Sequence, residues 1–95
     1  MKKITLKKLL FLNNVVIIDI REKDEFLNHC IPNSINIPFF ELSQNYAKYI
    51  NKDIKYYIVC EKGYRSKKMV KFLNKLGYDT IYIKNGLKNL HKFYF

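Results

Sequence analysis

What this chain lacks already narrows its function. It has only two cysteines, Cys30 and Cys60, too few for a disulfide framework. Neither has metal-ligand spacing to the other or to His29 and His91, which argues against a structural metal site. Thiols used in this way fit a reducing compartment. There is no tryptophan, and there are only three glycines and two prolines. With no repeat, linker or low-complexity tract, the composition is neither disordered nor fibrous. The 95 residues suit one domain, 1–95. Long hydrophobic runs are also missing. The opening "MKKITLKKLLFLNN" looks at first like a secretory signal. Its apolar stretch, Leu9 to Leu12, is too short for the hydrophobic region of such a signal, and no small-residue cleavage site follows. No segment has the length to span a bilayer. We read this start as the first amphipathic turn of a folded domain and expect a cytoplasmic protein without a membrane partner.

Acidic residues are scarce, 8 against 18 Lys and Arg, giving a net charge of +10. Such a surplus can serve nucleic acid or a membrane surface. Here only two of the basic residues are Arg, and the lysines are scattered along the chain rather than blocked. Lys, Asn, Ile and Tyr are abundant together, as AT-rich coding produces without functional demand. The charge therefore argues little for nucleic acid, and it suits an acidic protein partner.

What is present is a core: 48% of the residues are apolar and 16% aromatic. "VVIID", Val15 to Asp19, is a continuous β-branched run that stops at a charge, as a strand buried on both faces does. "EKDEFLNHC" reads as a short helix, "SINIP" as a short strand ending at proline, and "FFELSQNYAKYI" as a helix with apolar residues at helical spacing. "KYYIVC" is a second central strand and "TIYIK" a third. "SKKMVKFLNKLGY" is the clearest helix, with Met69, Val70, Phe72, Leu73 and Leu76 as its stripe and Gly77 at its stop. "NGLKNLHKFYF" is a turn followed by a short helix or a packed aromatic tail. Alternation of strands and helices predicts an α/β fold with a parallel sheet and right-handed crossovers.

The chemistry concentrates in "YYIVCEKGYRSKKMVKFL". Cys60 stands where a buried strand ends, and in open α/β sheets ligands bind beyond the carboxyl ends of the strands. The residues after it, "EKGYR", lead directly into a helix N-terminus, whose unpaired N–H groups and dipole favour a thiolate and bind anions. Gly63 allows a positive φ, so that successive N–H groups from residues 61 to 65 can converge on one point. Lys62 and Arg65 add positive charge, Glu61 adds a negative one, Tyr64 is placed at the loop mouth, and Ser66 is a candidate helix cap. These parts describe an activated cysteine over an anion cradle.

At this point the sequence resembles the rhodanese family of sulfurtransferases. "VIIDIREKDEF" resembles the family's strand ending in Asp-x-Arg, and "NHCIPNSINIP" its Gly-His-Ile-x-Gly-Ala-x-Asn-Ile-Pro segment. "YIVCEKGYRS" is similar to its active-site strand and Cys-x-x-Gly-x-Arg-Ser loop. "LGYDTIYIKNGLKNL" is similar to its closing Leu-Gly-Tyr, strand and Gly-Gly turn. Departures are Asn28, Asn33 and Asn85 in place of glycines, Ser34 in place of the alanine, Cys30 in place of an apolar residue, and Leu90 in place of a tryptophan. Asn tolerates left-handed backbone and can substitute for Gly at the first three.

The resemblance implies a five-stranded parallel sheet with helices on both faces. It also implies a Cys60 thiolate that takes a sulfane sulfur from a small donor such as thiosulfate and passes it to a thiol or cyanide acceptor. No metal or cofactor is called for. Asp19 and Arg21 become supports of the Cys60 loop, against the alternative of an ordinary surface pair. His29 is expected to make a structural hydrogen bond, and Cys30 to be a buried small hydrophobe rather than a second reactive thiol. Three other functions compete. The first is a persulfide relay between proteins, the second a catalytically silent binding module, and the third a cysteine phosphatase of the same fold. The phosphatase loop has five residues between Cys and Arg, whereas "EKGY" supplies four.

Overall fold

A computed structural model describes residues 2–88 and Leu90. The predicted tail after "NGL" and His91 otherwise lie outside the described residues. Nine elements follow one another: β1 (Lys3–Thr5), α1 (Leu6–Leu10), β2 (Val16–Asp19), α2 (Lys23–Asn28), β3 (Ile35–Asn36), α3 (Phe39–Tyr49), β4 (Lys55–Val59), α4 (Tyr64–Lys75) and β5 (Asp79–Lys84). All five strands pair in parallel, in the order β1-β5-β4-β2-β3. The expected α/β class, strand number and strand direction are those observed.

The period-2 alternation of strand side chains divides the core in two. Ile18 and Ile20, Tyr56 and Ile58, and Tyr82 face one side, where Leu42 and Ile50 of the α3 region and Met69, Val70 and Leu73 of α4 cover them. Ile17, Tyr57, Val59 and Ile83 face the other, where Leu6 and Leu9 of α1 pack with Ile31, Leu87 and Leu90. A sheet covered on both faces is what the unbroken apolar runs required. Among the described residues no helix is long and apolar enough to cross a membrane.

Three features differ from the sequence reading. The expected amphipathic turn is present as α1, but β1 precedes it and pairs with β5 at the sheet edge. A three-residue strand is too short to show a period. The strand expected over Ser34–Pro38 shrinks to Ile35 and Asn36, paired with Ile18 and Asp19. Of the three asparagines expected in left-handed backbone, Asn33 (φ 68°) and Asn85 (φ 66°) adopt it, whereas Asn28 is the last residue of α2.

The topology also creates a crevice. The chain leaves β2 toward β3 on one side and leaves β4 toward β5 on the other, while β2 and β4 are neighbours. The connections diverge between these two strands, and beyond their carboxyl ends lies the switch point at which such sheets bind ligands.

Candidate active site

Cys60 follows the last residue of β4 and is 4% exposed. Its Sγ accepts the N–H of Gly63 at 3.1 Å and that of Ser66 at 3.3 Å. The thiol donates to Ser66 Oγ at 3.2 Å, and the Ser66 hydroxyl donates to the Gly63 carbonyl at 3.1 Å. An anionic sulfur here would keep both N–H donors. It would also gain the Ser66 hydroxyl, which is free to rotate from the Gly63 carbonyl onto it. Two backbone N–H groups thus converge on the sulfur, and Ser66 supplies one of them, whereas the sequence places the donors within residues 61 to 65.

Ser66 was also expected to cap the helix, and this needs correction. The N-cap of α4 is Gly63, with φ 95°. Ser66 lies inside the first turn, fully buried, with its side chain turned toward the sulfur. A side chain at position 63 would be strained by that φ, and its Cβ would lie 3.1 Å from Asn85 N and 3.3 Å from Gly86 N.

That contact exposes a second support that the sequence reading missed. Leu87 N–H donates to the carbonyls of Cys60 (3.0 Å) and Glu61 (2.9 Å), and Lys88 N–H donates to Glu61 (3.1 Å). The turn after β5 therefore holds the Cys60 loop from behind. Gly86 has φ 63°, and a Cβ there would sit 2.4 Å from each of the same two carbonyl oxygens. The only sequence sign of this was the Asn-Gly pair that marks a turn; nothing in it named the loop as the turn's partner.

The third support is ionic. Asp19 and Arg21 are both buried, which excludes the surface-pair alternative. Arg21 donates Nε and Nη2 to the Asp19 carboxylate, at 3.1 and 2.8 Å, and Nη2 also to the His29 carbonyl at 2.6 Å. Nη1 reaches Glu61 Oε1 at 3.4 Å, so the β2 terminus is tied to the Cys60 loop. Burial works against the guanidinium charge, but the hydrogen bond and charge of Asp19, with the charges of Glu61 and Glu25, outweigh it and hold Arg21 above its ordinary pKa. Asn36, which the sequence reading did not single out, donates Nδ2 to the carbonyls of Asp19 (3.0 Å) and Arg21 (2.9 Å) and closes this end of β2.

These supports frame a cavity of about 380 Å³ at the switch point. The β2 side contributes Ile20 and Arg21, and α2 contributes Glu25. The loop side contributes Cys60, Glu61, Lys62, Tyr64 and Arg65. Of the predicted residues, Gly63 and Ser66 lie behind the sulfur, and Asp19 lies behind Arg21. Glu25 and Ile20 were not anticipated; each adjoins a predicted residue in space through the β2–α2 connection. Lys62, Tyr64 and Arg65 are exposed at the rim. His29 is exposed, with its ring 3.4 Å from the Asn28 side-chain amide and its carbonyl bound by Arg21. Cys30 is free and half-buried, outside both core clusters, so the expectation of a buried apolar residue is corrected.

Comparison with known proteins gives these observations a family context. The family model described as "Rhodanese-like domain" matches residues 3–92. The chain is 28% identical over 71 residues to YtwF of Bacillus subtilis (strain 168), named as a candidate sulfurtransferase, covering 75% of this chain and 68% of that protein. The crystal structure of a rhodanese-related protein from Thermoplasma volcanium superposes with a TM-score of 0.88 at 31% identity, covering 97% of this chain and 92% of the other. That of a rhodanese-like domain protein from Staphylococcus aureus gives 0.80 at 37% identity, over 93% and 89%.

Proposed function

The chain belongs to the rhodanese-like sulfurtransferase family, and from that premise we propose that it carries sulfane sulfur as a persulfide on Cys60. The observation that carries this reading is the environment of one atom. Cys60 Sγ is buried at the base of the switch-point cavity and receives two backbone N–H groups from a helix N-terminus. Such donors stabilise a sulfur anion more than a neutral thiol, because charge-assisted hydrogen bonds are the stronger kind. A persulfide is an anion of the same type, one atom longer.

With a thiosulfate-like donor the thiolate attacks the outer sulfur. The Cys60 S–S bond forms, the donor S–S bond breaks, and sulfite leaves with the bonding pair. In the second half-reaction an acceptor thiolate or cyanide attacks the terminal sulfur. It leaves as a new persulfide or as thiocyanate, and the Cys60 thiolate is regenerated. No metal or cofactor enters either step. Arg21 and Asp19 position the loop, while Lys62 and Arg65 meet the donor at the rim. On the acceptor side, the lysines of α4 fit an acidic protein that would receive the sulfur directly.

The test is intact mass after incubation with thiosulfate in the absence of an acceptor. We expect a gain of one sulfur atom, on a peptide containing Cys60, and its loss when cyanide is added. Cys60→Ser should gain none. Sulfur retained by the folded Cys60→Ser protein, or none gained by the wild type from any sulfane donor, would leave a silent binding module as the better reading.

A further inference from the structure

Three cations line the cavity, which gives it the look of a site for a doubly charged anion. Their surroundings argue otherwise. Arg21 is committed: a fully buried carboxylate, Asp19, holds its Nε and Nη2. The two remaining cations, Lys62 and Arg65, are exposed on long flexible side chains, where solvent and salt screen them. One negative charge is held more firmly. Glu61 directly follows the nucleophile, is half-buried, and is tied at its backbone to Leu87 and Lys88 and at its side chain to Arg21. Glu25 is exposed like the rim cations, though the capping box at the start of α2 holds it, where it accepts the Glu22 N–H at 3.3 Å. The cavity thus has exposed positive charge at its rim and, in Glu61, one tethered negative charge on the residue next to the sulfur, which itself must be anionic to react.

We propose that this cavity selects sulfur donors of low negative charge, organic persulfides rather than the thiosulfate dianion, and that Glu61, helped by Glu25 on the α2 wall of the same cavity, sets the preference. The inference rests on Cys60 being the sulfur acceptor. For a donor R–S–SH the Cys60 thiolate attacks the terminal sulfur, the Cys60 S–S bond forms, and the donor S–S bond breaks. R–S⁻ leaves with the pair, and the proton stays on the transferred sulfur or passes to solvent. The leaving group carries one negative charge, where sulfite carries two. Glu61 repels each in proportion, and it attracts a leaving group that bears a cation.

The experiment measures the second-order rate of Cys60 persulfide formation, by mass spectrometry under single-turnover conditions, from two probes. One is thiosulfate and the other cysteamine persulfide, whose ammonium makes it a cation as R–S–SH and net neutral when the persulfide is ionised, never an anion. In Glu61→Gln the acceptor oxygen for Arg21 is kept and only the charge goes. We expect thiosulfate loading to rise about tenfold, the size of a dianion–charge repulsion at a few ångströms in a largely solvated site, and cysteamine persulfide loading to fall. Glu25→Gln, which preserves the capping box, should shift the two rates the same way by less. It also provides the reading if Glu61→Gln does not fold. If the rates for both donors move together, or thiosulfate loading stays level or drops, Glu61 is a strut of the loop and the inference is overturned. That outcome differs from failure of the sulfurtransferase reading, in which neither probe loads Cys60 of the wild type.

Discussion

Ser66 shows what one side chain can add to a backbone cradle. Its N–H is fixed on the sulfur by the first turn of α4, and its hydroxyl sits between two partners, the Cys60 thiol and the Gly63 carbonyl. Ionisation removes the proton that the thiol donates, so the hydroxyl can turn and donate to the sulfur instead. Ser66→Ala should keep the N–H and lose this third donor. A lost donor at an anion site can cost about 10²–10³ in rate; because two N–H groups remain, we expect about tenfold. Iodoacetamide alkylation of Cys60 at neutral pH should slow by the same factor as sulfur loading. Loading that slows while alkylation does not would place the hydroxyl's role on the donor rather than on the thiolate. At this scale Cys60 and Gly63 were legible because each has few alternatives: a thiol at a strand end, and the residue that tolerates a positive φ. Ser66 was misread because a serine near a helix start usually caps it, and sequence does not say that the cap has moved to residue 63.

The turn after β5 belongs to the scale of elements, since it acts through backbone atoms. Leu87 and Lys88 donate three N–H bonds to the carbonyls of residues 60 and 61, and Gly86 passes so close that no Cβ fits. Gly86→Ala must push the turn and the Cys60 loop apart. Overpacking of this kind costs about 1–3 kcal/mol, and here it falls on the loop that holds Cys60. We expect a lower urea midpoint together with slower sulfur loading. Asn85→Gly, one residue away at φ 66°, is the control: it relaxes a left-handed residue without a clash and should leave both close to wild type. A Gly86→Ala protein that is destabilised yet loads sulfur at the normal rate would show that the turn braces the sheet and not the site. The elements themselves were largely legible, because β2, β4, β5 and α4 combine strong periodicity with clear stops. What could not be read is which turn touches which loop. Residues 87 and 60 are far apart in sequence, and the atoms that bind are common to every residue. Edge strands β1 and β3 were missed or overdrawn because two or three residues carry no period.

For the whole molecule the open question is where the net charge of +10 sits. In sequence the lysines are scattered; on the fold α4 gathers them. Lys67, Lys71 and Lys75 recur at the four-residue spacing that puts them on one face, Lys68 stands beside them, and all four are exposed. The helix has no acidic residue, and among the described residues its lysines join no salt bridge, those present being Lys2–Asp79, Arg21–Asp19 and Arg21–Glu61. The same helix begins at the sulfur cradle, with Arg65 on the cavity rim. An acidic acceptor docked along α4 would therefore meet its countercharge outside the cavity and bring only one thiolate past Glu61. Codon bias explains the number of lysines but not an acid-free helix leading to the site, so we predict a functional consequence. Two peptides of equal length, each with one cysteine, one Glu-rich and one Lys-rich, serve as acceptors for sulfur preloaded on Cys60. Transfer to the acidic peptide should be at least about tenfold faster at low salt. The advantage should shrink as the Debye length falls from about 10 Å at 0.1 M to about 3 Å at 1 M. Lys67→Glu with Lys71→Glu, whose exposed side chains line no part of the cavity, should reverse the preference while leaving transfer to cyanide close to its wild-type rate. Equal rates for the two peptides, or a preference that survives charge reversal on α4, would mean that the lysines reflect composition and that the acceptor is recognised at the cavity alone.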